Sequence, residues 1–447
     1  MRSSVSPPVK KQRRILQIVA AVSVLVFFIA ANPGTVSGRI YIDVNAPSVP
    51  QFNIAIPDFK DMGGDGKHPE LSVDLAEVVA NDLDLSGYFN IMDKSAFLED
   101  KDKPMEGRDI RFKNWSVIGA ELLLKGGYAC IGRRVEIELR LYDVFTGRQI
   151  LGKRALGSLK SYRHLMHRLS NEIILRLTGQ DGIALTKLAY VGNATGKREI
   201  YVSDYDGHNA RALTQHKSIS ILPRWSPDGK MIAYNSYKDD GAMLYLKEMG
   251  AGNVRRLSGR SGLNIGAGWA PNGREIALTM SHKGNPDIYL IDLKGKILKQ
   301  LVTHWGIDVS PAFSPDGERI AFVSNRSGAP QIYVMELNTE KVKRLTFQGN
   351  YNTSPAWSSQ NRIAFASMAY GRFNICTINP DGSGLRQLTN DQGNNEDPCW
   401  SPGGRYIAFS SNREGDYHIY ITHASGHHQR RVTFQKGDQT SPSWAPE

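Results

Sequence analysis

The chain has 447 residues, more than one ordinary domain, so we expect two or three domains. Hydrophobic residues make up 40% of it, which excludes intrinsic disorder as the main state, and its one long apolar run excludes a multi-span membrane protein. A formal net charge of +11 leaves nucleic-acid binding open at this point, whereas three cysteines exclude a disulfide scaffold and a cysteine-rich zinc module.

Residues 1–38 have the three-part pattern of a secretory signal peptide. They contain five basic residues and no acidic one, an apolar run from Ile15 to Ala31, and then Asn, Pro, Gly and small residues. We therefore predict that the chain is exported, with cleavage after Ala31 or Gly38; retention of the apolar run as a membrane anchor is the alternative. Removing five positive charges from +11 leaves +6, so the argument for nucleic-acid binding largely disappears.

Residues 39–180 predict a mixed α/β domain. Apolar residues at helical spacing predict a helix over 71–83, ended by a glycine, and a second, amphipathic helix over 159–178 with Gly179 as its C-cap. Alternating or consecutive apolar residues predict strands at 40–44, 52–56, 89–92, 120–128 and 135–144. Residues 181–187 are predicted to link this domain to the rest of the chain.

An aromatic residue followed by a tight turn recurs through residues 188–447. The anchors are separated by 44, 44, 44, 43 and 44 residues, and most precede Ser-Pro-Asp-Gly or a close variant; they are Trp225, Trp269, Phe313, Trp357, Trp400 and Trp444. In each full unit, variants of an Ile-Ala-aromatic, an Ile-Tyr-apolar and a basic-Leu-Thr segment follow. Four short strands per unit and six units predict a six-bladed β-propeller of WD40-like repeats.

The two ends of the repeat region complement each other. It begins at Leu188 with a second-strand sequence that has no anchor before it, and it ends at Trp444 with an anchor that has no strands after it. We predict that the first blade takes three strands from 188–214 and its innermost strand from 441–445. This exchange would close the ring without a covalent bond and would bury edge strands that otherwise invite aggregation.

No motif of a known catalytic or metal-binding chemistry is recognisable in the sequence. It lacks the Gly-x-Ser-x-Gly of serine hydrolases and the His-Glu-x-x-His of zinc proteases. Cys376 and Cys399 are predicted to be free, buried thiols, with a disulfide between them as the alternative. We therefore expect no metal, no cofactor and no enzymatic activity; a lyase of the oligogalacturonate type, acting from the propeller channel, is the alternative.

The histidines are predicted to be ordinary polar residues. His164 and His167 lie one turn apart on the second predicted helix, with no acidic residue near them in sequence, and we expect both on its surface. His423, His427 and His428 fall in the last predicted hairpin, where we expect solvated turn residues.

The alternation of strands predicts two different faces for the propeller. Turns between first and second strands lie on one face and are short and uniform, whereas the loops before each anchor lie on the other face and vary. Varied polar residues around a central mouth suit recognition, with solvated interblade loops as the alternative. The predicted partner-binding residues of these loops are Asn264, Gly266, Asp308, Val309, Ser310, Asn352, Thr353, Asn395, Glu396, Gln439 and Thr440.

The order of these parts resembles that of the TolB family, periplasmic components of the Tol–Pal envelope system of Gram-negative bacteria. The segments Ser86–Phe89, Val202–Gly207 and Pro442–Pro446 are similar to that family, and the resemblance covers essentially the whole chain. It implies a periplasmic, non-enzymatic adaptor, peripheral to membranes, that supports outer-membrane invagination during cell division and outer-membrane integrity. An exported propeller that binds another protein or a glycan is the remaining alternative.

The resemblance also implies two partners. It implies that the lipoprotein Pal binds the propeller mouth at positions matching Leu263, Asn264, Gly266, Asp308 and Val309, although the family often carries histidine and alanine in place of Leu263 and Gly266. It implies that TolA engages the start of the mature chain, here the residues Arg39, Ile40, Tyr41, Ile42 and Asp43. It further admits bacteriocins or other envelope proteins as ligands of the mouth.

Overall fold

The computed structural model describes residues 51–98, 105–250, 252–390 and 392–446. Within these residues the chain forms a mixed α/β domain followed by a ring of six four-stranded sheets, which confirms the predicted fold class. The predicted signal peptide, the predicted strand at 40–44 and the segment Arg39–Asp43 lie outside the described residues. No helix in the described part of the chain has both the length and the apolar composition needed to cross a membrane.

The amino-terminal domain is built on one mixed sheet and two long helices. Its helices are α1 (Leu71–Leu85), the short α2 (Phe112–Val117) and α3 (Tyr162–Thr178). Its strands are β1 (Phe52–Ala55), β2 (Lys60–Gly64), β3 (Phe89–Ile91), β4 (Leu122–Ile131), β5 (Arg134–Asp143) and β6 (Gln149–Ser158). The sheet order is β3-β1-β4-β5-β6 with β2 beside β4; pairings to β1 and β2 are parallel, and β4, β5 and β6 form an antiparallel meander.

The sequence did not predict β2, β6 or α2. For the two strands, their burial explains why. β2 reads Lys-Asp-Met-Gly-Gly and is mostly exposed, so it has no apolar alternation to signal a strand. β6 is an edge strand in which Ala155 alone is fully buried.

The second predicted helix, α3, starts at Tyr162 after a single 3-10 turn. Gly179 ends it with a φ of 68° and an N–H bonded to the carbonyl of Leu175, as a glycine C-cap requires.

Each blade of the propeller is an antiparallel meander of four strands, ordered here from the channel outward. Blade 1 holds β30 (Gln439–Trp444), β7 (Lys187–Gly192), β8 (Glu199–Asp204) and β9 (Arg211–Ala212). Blade 2 holds β10 (Ser220–Trp225), β11 (Met231–Ser236), β12 (Met243–Glu248) and β13 (Val254–Ser258); blade 3 holds β14 (Asn264–Trp269), β15 (Glu275–Met280), β16 (Asp287–Asp292) and β17 (Ile297–Val302). Blade 4 holds β18 (Asp308–Phe313), β19 (Arg319–Ser324), β20 (Gln331–Glu336) and β21 (Val342–Arg344); blade 5 holds β22 (Tyr351–Trp357), β23 (Ile363–Ala369), β24 (Arg372–Ile378) and β25 (Arg386–Gln387). Blade 6 holds β26 (Asn395–Trp400), β27 (Tyr406–Glu414), β28 (Asp416–His423) and β29 (Arg430–Arg431).

The two ends of the propeller meet in blade 1, as predicted. β30 pairs antiparallel with β7, so the last strand of the chain becomes the innermost strand of the first blade. Trp444 is 7% exposed, and its indole N–H donates a hydrogen bond of 2.7 Å to the hydroxyl of Thr186. The hydroxyl of Ser443 accepts a hydrogen bond from the backbone N–H of Trp225 in blade 2, which ties the closing strand to the next sheet.

Buried threonines explain why the basic-Leu-Thr segment recurs. In four blades a threonine hydroxyl follows the outermost strand and accepts a hydrogen bond of 2.8–2.9 Å from a backbone N–H of the third strand; these residues are Thr214, Thr346, Thr389 and Thr433. Their outermost strands have only two or three residues, whereas the blades with Ser258 and Val302 at this position have outermost strands of five and six residues. The hydroxyl therefore replaces missing ladder hydrogen bonds.

Deleting residues 442–447 should open the ring. The deletion removes Trp444 from its buried site, and one buried tryptophan alone contributes about 3–5 kcal/mol to the free energy of unfolding. We expect a clearly lower urea midpoint and increased self-association through the exposed edge of β7, measured by denaturation and size-exclusion chromatography. Removing Glu447 alone is the control, and an unchanged midpoint in the longer deletion would contradict closure by β30.

Replacing Thr389 by valine should destabilise blade 5 without changing its shape. Valine has the same outline but cannot accept the hydrogen bond from the N–H of Ile375 or donate to the side chain of Asn374. We expect a loss of about 1–3 kcal/mol in the free energy of unfolding, the usual cost of unpaired buried groups. Thr303→Val, at an exposed position, is the matched control; equal effects of the two substitutions would refute the role of the hydroxyl.

Candidate functional site

All six innermost strands bend at the same position around the channel. One residue near the start of each innermost strand has a left-handed backbone, with φ between 51° and 68°: Leu222, Gly266, Ser310, Ser354, Asp397 and Ser441. In each blade the pairing between the first and second strands is interrupted at this point, which is the signature of a β-bulge. The bulges line a central cavity of about 240 Å³, whose walls include five of these six residues.

One carboxylate joins three neighbouring blades in this cavity. Asp397 of blade 6 accepts hydrogen bonds from the hydroxyl of Ser354 in blade 5, at 2.9 Å, and from the hydroxyl of Ser441 in the closing strand, at 2.8 Å. Its neighbour Glu396 accepts a hydrogen bond of 2.7 Å from the Tyr417 hydroxyl. Burial, assisted by the charge of Asp397, raises the pKa of Glu396.

Five of the predicted mouth residues are buried inside the blades. Asn264, Asp308, Asn352, Asn395 and Gln439 are at most 1% exposed. Their side chains are engaged by their own blade or by the preceding one. Within one blade, the Arg326 guanidinium holds Asp308 at 2.9 and 3.1 Å and that of Arg413 donates to Asn395 at 2.8 Å; between blades 6 and 1, the His418 ring bonds to Gln439 at 2.6 Å. These polar residues fix the start of each innermost strand rather than present a side chain to solvent.

The other predicted residues lie partly exposed around the channel entrance. They are Leu263, Gly266, Val309, Ser310, Thr353, Glu396 and Thr440, all half-buried. The structure therefore brings the predicted set together in one ring but divides it into an internal layer and an accessible layer.

The sequence reasoning missed the exposed aromatic residues of the same face. Trp305, Phe347 and Phe434 are 77%, 73% and 68% exposed, and each lies in a loop between the outermost strand of one blade and the innermost strand of the next. Tyr351 and Tyr370 add further exposed rings at the same end of the blades. The sequence contains a signal for two of them. Phe347 and Phe434 directly follow the threonine that ends the basic-Leu-Thr segment, and this position predicts a loop after the outermost strand. We call this side of the propeller the loop face.

The amino-terminal domain contacts the opposite face of the propeller at blades 1 and 6. The Tyr406 hydroxyl of blade 6 donates to the carbonyl of Ser86 at 2.8 Å, and Arg430 pairs with Asp84 at 2.8 Å. Two of the three segments noted for their family resemblance, Ser86–Phe89 and Val202–Gly207, lie at this joint. Within the described residues of the propeller, no strongly exposed large apolar side chain lies in the tight turns of this face.

Three histidines at the joint, His167, His423 and His428, are more buried than the sequence predicted. His164 is exposed, but His167 is only 3% exposed, because α3 packs against both the sheet and blade 1 and therefore has a wider buried face than a surface helix. His423 and His428 are half-buried rather than solvated, and burial lowers the pKa of His423 to about 4. The Nε2 atom of His428 lies 3.6 Å from the Asp84 carboxylate.

One group of side chains among the described residues has the spacing of a metal site. Donor atoms of Asp82, His167 and Asp206 all lie within 4.8 Å of one another. Both carboxylates and the Nδ1 atom of His167 are already engaged, because Nδ1 contacts Asp82 at 2.9 Å and the Arg163 guanidinium pairs with Asp206. A guanidinium on one carboxylate and a ring nitrogen on the other fit an ion-pair network better than a cation site.

Two family models match most of the chain. Residues 40–150 match the family model described as the TolB amino-terminal domain, and residues 174–447 match the TolB beta propeller domain. A Tol-Pal system protein TolB of Desulfosudis oleivorans is 40% identical over 202 residues, 45% of this chain and 46% of that protein, and one of Syntrophotalea carbinolica is 39% identical over 192 residues, 43% and 44% of the two chains. These matches thus span a little under half the length of the curated relatives.

A solved structure supports the same assignment over a larger part of the chain. The crystal structure of TolB from Acinetobacter baumannii superposes with a TM-score of 0.78 and 25% sequence identity, covering 92% of this chain and 100% of that chain. It shares the order of an α/β domain followed by the propeller. From the two family models and this architecture, the chain belongs to the TolB family.

Proposed function

We propose that the chain is a non-enzymatic periplasmic adaptor of the Tol–Pal system and that the loop face of its propeller binds Pal. The observation that carries this proposal is the contrast between the two faces. One face is in contact with the amino-terminal domain at blades 1 and 6, whereas the other exposes aromatic side chains from three interblade loops near a central cavity. Aromatic residues are enriched at protein interfaces and dominate their binding energy.

The two layers of the mouth have different roles in this proposal. The half-buried residues Leu263, Val309, Thr353, Glu396 and Thr440, with the bulged backbone at Gly266 and Ser310, contact Pal around the cavity. The aromatic side chains of the loop face supply apolar anchors outside this ring. The buried residues Asn264, Asp308, Asn352, Asn395 and Gln439 act indirectly, because they hold the strands that carry the contact residues.

TolA is the second partner in this proposal, through the segment Arg39–Asp43. The segment directly follows the predicted signal peptide, and the TolB amino-terminal family match begins within it, at residue 40. Exchange of this segment between its own domain and TolA, biased by Pal, would link the envelope layers during outer-membrane invagination. The charged residues that line the cavity among those described are Arg224 and Asp397, and no observation favours the lyase alternative.

Replacing Trp305, Phe347 and Phe434 together by alanine should weaken Pal binding. A hot-spot aromatic anchor contributes about 2 kcal/mol or more, so a single hot spot among the three is enough to raise the Kd at least about thirtyfold, which calorimetry measures. The urea midpoint should stay close to that of the parent because the three side chains are exposed.

Phe145→Ala is the matched control, since Phe145 is a 71% exposed aromatic residue of the amino-terminal domain. Undiminished Pal affinity in the triple variant would rule out the loop face as the Pal site.

Deleting residues 39–43 should abolish capture of TolA and leave Pal affinity unchanged. The deletion removes the proposed TolA segment but no residue of the propeller. Pull-down with purified TolA and calorimetry with purified Pal measure the two effects separately. A variant with the same five residues in scrambled order is the control for chain length, and TolA capture that survives the deletion would contradict the proposal.

A further inference from the structure

We propose that His167 is a protonation-dependent interlock between the amino-terminal domain and the propeller. As an imidazolium it bridges Asp82 of α1 and Asp206 of blade 1, and loss of its proton loosens the joint between the two domains.

The geometry gives each ring nitrogen of His167 its own carboxylate. Nδ1 lies 2.9 Å from both oxygens of Asp82, and Nε2 lies 3.9 Å from Oδ2 of Asp206. His167 and Asp82 belong to packed helices of the amino-terminal domain, whereas Asp206 lies in the hairpin between β8 and β9. Both carboxylate side chains are 0% exposed, so neither has water to compensate its charge.

The Nε2 atom of His167 is the unsatisfied member of this set. It is buried and has no hydrogen-bond partner, although it faces a carboxylate. A neutral imidazole donates from one nitrogen only, so Nδ1–H bonded to Asp82 would leave a lone pair facing Asp206. An imidazolium donates from both nitrogens and turns this repulsive contact into an attractive one.

The other polar and charged groups around His167 leave one negative charge without a positive partner. From the β8–β9 hairpin, the hydroxyl of Tyr205 donates to Asp82 at 2.8 Å, and Asp204 pairs with Lys187 at 2.6 Å. From α3 itself, Arg163 pairs with Asp206. Asp82 and Asp206 therefore carry two negative charges against the single charge of Arg163. A protonated His167 makes the buried group neutral.

The direction of the pKa shift agrees with this geometry. Burial opposes protonation, but the hydrogen bond and charge of Asp82 and the charge of Asp206 outweigh it and raise the pKa of His167 above its ordinary 6.5. The interlock is thus complete below pH 6.5 and is lost as the pH rises through the raised pKa. The pKa of Tyr205 lies well above its usual range because of burial, so its hydroxyl remains a donor throughout.

Paired unfolding measurements on the mature chain test the interlock. We expect His167→Gln, which cannot carry the charge, to lower the Tm at about pH 6, and we expect this difference from the parent to shrink as the pH is raised through the raised pKa toward about pH 9. His164→Gln is the matched control, because His164 is exposed on the same helix and should show no pH-dependent difference. A purely structural role would give an equal Tm loss at both pH values and would overturn the proposal.

An NMR titration of ¹³C-labelled histidine provides a readout that does not depend on folding stability. The ring of His167, assigned by its loss in His167→Gln, should titrate above pH 6.5, and Asp206→Asn should lower its midpoint. Titration at or below pH 6.5, or a midpoint unaffected by Asp206→Asn, would overturn the interlock. Added Zn²⁺ that raises the Tm of the parent but not of His167→Gln would also overturn it, because the imidazole would then be a metal ligand.

Discussion

The pairing of β30 with β7 is the interaction on which the rest of the molecule depends. A ring of six sheets has no end of its own, so its closure decides whether blade 1 exists as a complete sheet. The closing strand also supplies Ser441, whose hydroxyl binds Asp397 in the wall of the cavity. Cavity, loop face and the joint to the amino-terminal domain therefore share one requirement, the last strand of the chain.

Periodic features of the sequence made most of the fold predictable. The aromatic anchors, the turns after them and the second-strand sequence at Leu188 determined the number of blades and their closure, because each strand type recurs at a fixed spacing. Elements without a pattern were missed. β2 has no apolar alternation, and β6 is held by backbone pairing with β5 rather than by burial of its own side chains.

Only part of the candidate site could be predicted from the sequence, for a related reason. A buried asparagine that holds a strand and an exposed asparagine that meets a partner look the same in a sequence, and Asn264 and Asn395 proved to be of the first kind. His167 was misjudged because its partner Asp82 lies 85 residues away, and only the packing of α1, α3 and blade 1 brings the two together. Trp305 belongs to a loop, where no periodicity marks a residue as accessible.

Blade 1 combines strands from both ends of the propeller sequence, and this limits the order in which the chain can assemble. The amino-terminal domain is made first, but its joint uses Tyr205 in blade 1 and Tyr406 in blade 6, and blade 1 lacks its innermost strand until residue 444 has been added. A chain that still lacks β30 therefore has no complete blade 1 on which the amino-terminal domain can dock. Stable attachment of the two domains thus depends on the strand that follows every other described strand in sequence.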